Sequence, residues 1–567
     1  MSLSGAMDIS SGLSKYDNRN GVDMDIDDSI KALEALSLAE KKSSSSSSNG
    51  SRSRRNSRRI KKKLSSSSSS SSASSSNKPT KKRRMGISKK SKSVKANTLK
   101  KKISGLELKL KSPAKRLSNM LGLVCKDPVY CIALGKYNEY MKDYFMDYKE
   151  LGLVDNNYIT TLGGPSANGF VLRLPFMRPG AGFTAYTAIK CSLMNKSDNL
   201  FYEYYIGKNF INPLCKRFPC FVETYGLYRF HSEKDWDIMA DYSANGGIAG
   251  GAKKMPPLQY MLEQLDTMAW EQSCVDSKHI CILIQYFNNV LSLKHYFAEY
   301  GFPRIKSDMF GLMYQIYFPL QILRRVYTHY DLHRDNVLLY KPFGDAKKYI
   351  EMNYHLVSGR VVQFPTEYVC KIIDYGRNYF SDAGTKMDTK KIIEKHICKA
   401  SECEPDCGEE AGYSILQGRT YNPYVDFYDI YPDIPNMSHD LRLIDSLRKM
   451  EMGGYNSYEK NVYNGKHHDY KVDDFKNFFD DYCRIIYKHE WGTPPIVKNT
   501  KQSANAVNLE VAKKPAVKNV IDVREMLETH IDGFVENVTR VKYDGWMKAG
   551  VMHIYEDGRD YEFVAVD

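Results

Sequence analysis

The sequence predicts an α+β fold, and three observations carry that reading. Short β-rich runs come early: Phe183 to Ile189, Phe221 to Gly226 and Ile282 to Phe287 read as strands. A helix follows, because Met309, Phe310, Met313, Ile316, Tyr317, Leu320 and Leu323 recur at helical spacing and line up on one face. After it, Val337 to Leu339 and Tyr368 to Ile373 read as short buried strands.

The chain ahead of these elements has a different character. The 567 residues carry a formal charge of +15, but residues 51–120 alone carry +23, residues 1–50 carry −3 and the remainder −5. The basic segment contains the serine runs Ser65 to Ser72 and Ser74 to Ser76, and a further run, Ser43 to Ser48, lies just ahead of it. Ordering a backbone costs about 1–2 kcal/mol per residue, and serine buries little to offset it. Residues 1–120 are therefore expected to be a disordered tail, apart from a short apolar stripe (Ile30, Leu33, Leu36) over Ser29 to Ala39. Its basic clusters, Arg52 to Lys63 and Lys81 to Arg84, suit a nuclear-import factor or non-specific contact with nucleic acid. Serines among arginines are also phosphorylation targets.

Residues 121–157 read as a helical lead-in, 158–495 as the main domain and the polar stretch 496–518 as a linker. The end, 519–567, reads as a helix near Val523 to Phe534 and a hairpin from Val551 to Val566 turning at Asp557-Gly558. No run approaches the ~20 apolar residues that span a membrane, so no membrane partner is expected. Twelve scattered cysteines without a signal peptide suit a reducing compartment, nucleus or cytoplasm, and a soluble protein. His396, Cys398, Cys403 and Cys407 could close a tetrahedral zinc site, but their spacing fits no standard zinc motif, and a cysteine-containing loop is the preferred reading.

The chemistry lies in residues 328–336, Thr-His-Tyr-Asp-Leu-His-Arg-Asp-Asn, and 371–376, Lys-Ile-Ile-Asp-Tyr-Gly. Phosphoryl transfer needs a carboxylate to orient the attacking hydroxyl, and an amide and a second carboxylate to hold Mg²⁺ on the phosphates. Asp331, Asn336 and Asp374 supply these in order. Upstream, Gly164, Ser166, Gly169 and Val171 match a glycine-rich hairpin with serine at its middle glycine. Lys190 ends Thr-Ala-Ile-Lys, and Glu203 is its natural partner on the next helix. Gln285, Tyr286 and Phe287 end the strand that begins at Ile282.

These features, in this order, resemble the protein-kinase-like superfamily over roughly residues 150–450. The lead-in around Cys125 and Cys131 is similar to one in kinase-like proteins of giant DNA viruses, which would place the protein in a host cell or virion. The resemblance implies a bilobal fold, with a small lobe at about 158–290 and a large lobe at about 291–495. It implies ATP and Mg²⁺ as cofactors. Asp331 would orient the acceptor, Asn336 and Asp374 would hold metal, and Lys190, placed by Glu203, would hold the α- and β-phosphates. Gly164 to Gly169 would close over the nucleotide, and Gln285 to Phe287 would offer backbone groups to adenine. The expected acceptor is a protein serine or threonine, the tail among them.

The chain departs from the family in places. Tyr330 stands where many kinases have the arginine that pairs with a phosphorylated loop. His333 and Arg334 stand near the usual lysine and would supply the cation; Asp-Leu-His also occurs in aminoglycoside and choline phosphotransferases. A small-molecule kinase and an inactive pseudokinase scaffold therefore remain alternatives. Residues 340–366 form an extra segment that reads as a hairpin with a Ser-Gly turn, and no Ala-Pro-Glu follows Asp374. Asp440 falls where the family places a buried carboxylate that braces the catalytic loop; a helix-start carboxylate is the other reading.

Overall fold

The computed structural model describes residues 134–163, 169–178, 184–193, 200–247, 254–300, 302–396, 435–448, 462–463, 466–467, 481–482, 484–485 and 516–566. The serine-rich tail, Ser29 to Ala39, Gly164, Ser166, most of the linker and Cys398, Cys403 and Cys407 lie outside the described residues, as does the side chain of His396. The fold is α+β.

Helix α1 (Lys136–Tyr144) leads into strands β1 (Thr160–Thr161), β2 (Gly169–Met177) and β3 (Thr184–Ser192). Then come α2 (Leu200–Ile206), β4 (Thr224–Phe230), α3 (Glu233–Ala244), β5 (Leu262–Leu265) and β6 (Ile280–Gln285). The strands form one antiparallel sheet in the order β1-β2-β3-β6-β4-β5. Alternation gives it two apolar faces. Leu172, Leu174, Phe176, Ile189 and Cys191 pack with Phe145, Tyr148, Met239 and Tyr242 on one side. Leu227, Ile280 and Ile282 pack with Leu200, Phe201 and Tyr204 of α2 on the other.

The strand expected at Phe221 to Gly226 is displaced to Thr224–Phe230. Residues 220–222 are drawn to a different partner: the Ile372 N–H donates to the Cys220 carbonyl at 2.7 Å, and Phe221 bridges Ile372.

The rest of the described chain surrounds helix α4 (Phe302–Leu323). Strands β7 (Val290–Ser292), β9 (Val337–Tyr340) and β12 (Val369–Ile372) form a three-stranded sheet, and β8 (Tyr327–Thr328) pairs with β13 (Tyr379–Asp382). The segment expected to be an extra hairpin is one: β10 (Lys348–His355) and β11 (Val361–Thr366), turning at Gly359 with φ +85°. After α5 (Arg442–Arg448) and α6 (Val520–Phe534), the C-terminal hairpin β14 (Met547–Tyr555) and β15 (Glu562–Ala565) completes a four-stranded sheet, β11-β10-β14-β15. Strand β14 runs parallel to β10. The chain end and the extra hairpin are thus one structural unit. Among the described residues no helix is long and apolar enough to cross a membrane.

Candidate active site

Lys190 lies on β3, opposite Val171 of β2 and Ile282 of β6. Its neighbours Ile189 and Cys191 point into the core, so alternation sends Lys190 to the α2 side. There its Nζ sits 2.7 Å from Glu203 Oε2 and 3.0 Å from Asp374 Oδ1. Glu203 is 3% exposed, on a helix pinned by Leu200, Phe201 and Tyr204, so its carboxylate is fixed from below. A carboxylate this deep is stable only with such a partner.

Asp374 has φ 70° and ψ 74°, a left-handed conformation that a non-glycine residue adopts at some cost. Two contacts hold it there. One is the Lys190 pair. The other is Tyr375, whose hydroxyl accepts from the Val222 N–H at 2.8 Å and donates to the Ile372 carbonyl at 2.9 Å. Burial opposes the Asp374 charge, but Lys190 and Arg377 together hold the carboxyl below its usual range.

Asp331 lies in the loop between β8 and β9. Asp440 fixes that loop: its two oxygens accept from the N–H groups of His329 at 2.9 Å and Tyr330 at 3.0 Å. Burial pushes the Asp440 carboxyl up to about 7, against the pull of those two donors. Tyr330, with φ 62°, packs its ring 4.7 Å from His439. Asn336 donates through Nδ2 to the Asp331 carbonyl at 2.9 Å, which orients the amide and leaves Oδ1 as its acceptor atom.

Asp331 is 7% exposed, and its carboxylate faces cations on both oxygens. Arg442 Nη1 lies 2.5 Å from Oδ1, and Arg377 Nη1 lies 3.5 Å from Oδ2. His333 Nε2 is 3.7 Å from Oδ1. Because His333 Nδ1 accepts from the Asp335 N–H at 3.1 Å, the ring proton belongs on Nε2, toward Asp331. Burial resists ionisation of Asp331, but Arg442 and then Arg377 prevail and hold it well below the usual carboxylate range. Ile373 donates its N–H to the Asn336 carbonyl at 3.1 Å and Arg377 reaches Asp331, so the chain on both sides of Asp374 is tied to the Asp331 loop.

The other expected residues fall into place differently. Gly169 opens β2, and a Cβ there would meet the Cys191 carbonyl at 2.2 Å, so close strand pairing demands this glycine by itself. Gln285 is committed to Glu223, just ahead of β4, its N–H donating to the Glu223 carbonyl at 2.9 Å and its Oε1 accepting from the Glu223 N–H at 3.3 Å. The Tyr286 ring packs 5.9 Å from Tyr186, and Phe287 is buried against Tyr340. The Gln285 N–H and side-chain oxygen are therefore already engaged. Arg334 is half-buried, and its carbonyl accepts from the Lys294 N–H at 3.3 Å. Sequence reasoning missed Arg377 and Arg442; the one signal was their position, directly after Gly376 and two residues after Asp440.

Asn336 Oδ1 and the second oxygen of Asp374 are hard oxygen donors of the kind Mg²⁺ takes, with phosphates and water completing its shell. Among the described residues no group of three or more His, Cys, Asp and Glu side chains is placed to hold a metal ion. No protein-family model matches the chain, and no curated protein matches it.

Proposed function

We propose that this chain is a phosphotransferase that passes the γ-phosphoryl group of Mg-ATP to a protein serine or threonine, on a bilobal protein-kinase-like fold. One observation carries the reading: Lys190 bridges Glu203 and Asp374, which lie far apart in the chain, and Ile373, next to Asp374, donates its N–H to the Asn336 carbonyl at 3.1 Å. A lysine held between two carboxylates is a cation of fixed position, suited to the α- and β-phosphates. Glu203 orients it. Asp374 and Asn336 are the residues that would hold Mg²⁺, which neutralises phosphate charge when bound. Asp331, ionised and backed by a loop that Asp440 immobilises, accepts a hydrogen bond from the acceptor hydroxyl and aims it at phosphorus. Most of the catalysis is then positioning and charge stabilisation.

The test is transfer of labelled phosphate from Mg-ATP to a basic and an acidic protein acceptor, by the wild type and by Asp331→Asn. The substitution is expected to cut transfer by about 10²-fold or more with nucleotide affinity unchanged. Equal transfer by the two proteins would sink the reading. Nucleotide binding without transfer to any protein would point to a small-molecule acceptor, the case suggested by the His333 Nε2–H facing Asp331. Failure to bind nucleotide would leave a scaffold.

A further inference from the structure

Lys190 shares its face of the small sheet with a row of other side chains. Val171 of β2 stands opposite it, and one step along Arg173 stands opposite Ala188, with Ile284 of β6 beyond. Tyr186 and Tyr286 follow at the next step, their ring centroids 5.9 Å apart. Side chains two apart on a strand lie on one face, and each such step is about 7 Å. In the opposite direction α2 covers this face, packing Leu200, Phe201 and Tyr204 on Leu227, Ile280 and Ile282. Val171, Arg173, Tyr186 and Tyr286 are only half-buried. A nucleotide whose phosphates meet Lys190 therefore extends its base along the open part of the face, past Ala188 toward Tyr286. Arg173 lies on that path. Its guanidinium carbon is 4.9 Å from the centre of the Tyr186 ring and 6.0 Å from that of Tyr286. Among the described residues no carboxylate pairs with it and no acceptor takes its hydrogen bonds, and its Nε is buried without a partner. The two rings position the group, and its Nη donors remain available to a ligand.

We propose that Arg173 reads the base of the phosphoryl donor, so that this site takes GTP as well as ATP. The proposal rests on the phosphotransferase reading above and names a second nucleotide for the same site. A guanidinium is a planar fork of donors with no acceptor. Guanine sets two acceptors, N7 and O6, side by side, and they match that fork. Adenine carries the N6 amino donor where guanine has O6, which turns donor against donor. The backbone expected to meet adenine is in part committed elsewhere, since the Gln285 N–H donates to the Glu223 carbonyl, and base selection shifts to a side chain.

The experiment uses the full chain and measures displacement of a ribose-labelled fluorescent ATP by Mg-ATP, Mg-GTP and Mg-ITP. Inosine keeps N7 and O6 but lacks the guanine amino group. In the wild type GTP and ITP are expected to bind within about fivefold of ATP, or more tightly. Arg173→Met keeps the stem against the tyrosines and is expected to lower the GTP and ITP affinities relative to ATP by about tenfold or more, the worth of one bidentate contact. Arg173→Lys, a cation without the fork, is expected to fall between. ATP displacement from Arg173→Met reports its fold; should that variant bind nothing, Arg173→Lys decides the matter. GTP binding more than about fivefold weaker than ATP in the wild type overturns the proposal. So does a GTP-to-ATP ratio that the substitutions leave in place. ITP binding far weaker than GTP also overturns it, because it puts recognition on an amino group that a donor cannot read. Transfer of labelled γ-phosphate from each nucleotide then separates the two readings. If GTP binds as expected but neither nucleotide donates phosphate, the phosphotransferase reading falls and base selection stands. If transfer from ATP needs Asp331 but GTP neither binds nor donates, base selection alone falls. If no nucleotide binds, both fall.

Discussion

His329 shows how a single side chain ties the site to the stability of the fold. Its ring is wholly buried, Nε2 donates to the Ile373 carbonyl at 3.0 Å, and Nδ1 has no hydrogen-bond partner among the described residues. Burial pulls its pKa from 6.5 down to about 4, with Asp331 pulling weakly the other way. Above pH 6.5 the ring is neutral in both folded and unfolded chains. Below it the unfolded chain takes up a proton that the folded one refuses. Stability is therefore complete above pH 6.5 and drains away as pH falls toward 4, by at most about 3 kcal/mol. The urea midpoint of the wild type should fall over this window, and that of His329→Gln should fall less; parallel declines would refute the assignment. At this scale the sequence was legible wherever short loops fix the spacing, as from Asp331 to Asn336. It was not legible for Arg377 and Arg442, whose meeting with Asp331 depends on folding between distant segments. Gly169 was read as a glycine for close phosphate approach, and its own neighbour strand turns out to require it.

Among elements, α4 departs most from its sequence pattern. Spacing gives it one apolar stripe, yet Leu312, Tyr314, Phe318 and others off that stripe are buried too. One cause lies some 200 residues downstream: α6 packs along α4, where the Tyr314 hydroxyl donates to Glu528 at 2.8 Å and Arg524 lies over Phe318; Phe364 of β11, nearer in the chain, covers Gly311. No local pattern announces a partner so remote, although the hairpins themselves were readable from their turns. Arg524 of α6 holds this assembly. It is 7% exposed, lies over the Phe318 ring and reaches Glu528 at 2.6 Å, Glu556 at 2.7 Å and Gln321 at 2.6 Å. Arg524→Met keeps the stem but leaves both glutamates without their common cation. It should cost about 3 kcal/mol, read as a lower urea midpoint at unchanged slope. Adding Glu528→Gln and Glu556→Gln should recover part of the loss, since the penalty belongs to stranded charges. A cost below about 1 kcal/mol would mean that the cluster is a solvated surface pair.

Across the whole molecule, charge is divided. Residues 51–120 carry +23, while the chain on either side is negative, and the serine runs sit within and beside that basic segment. If the chain is the phosphotransferase proposed above, these serines are acceptors within the same molecule. Each phosphate adds about −1.5 to −2, so roughly a dozen would cancel the charge of the segment and weaken its hold on polyanions. Intact-mass spectra during incubation with Mg-ATP should therefore gain successive phosphates in the wild type and far fewer in Asp331→Asn. Equal spectra from the two proteins would separate the serine runs from the proposed site.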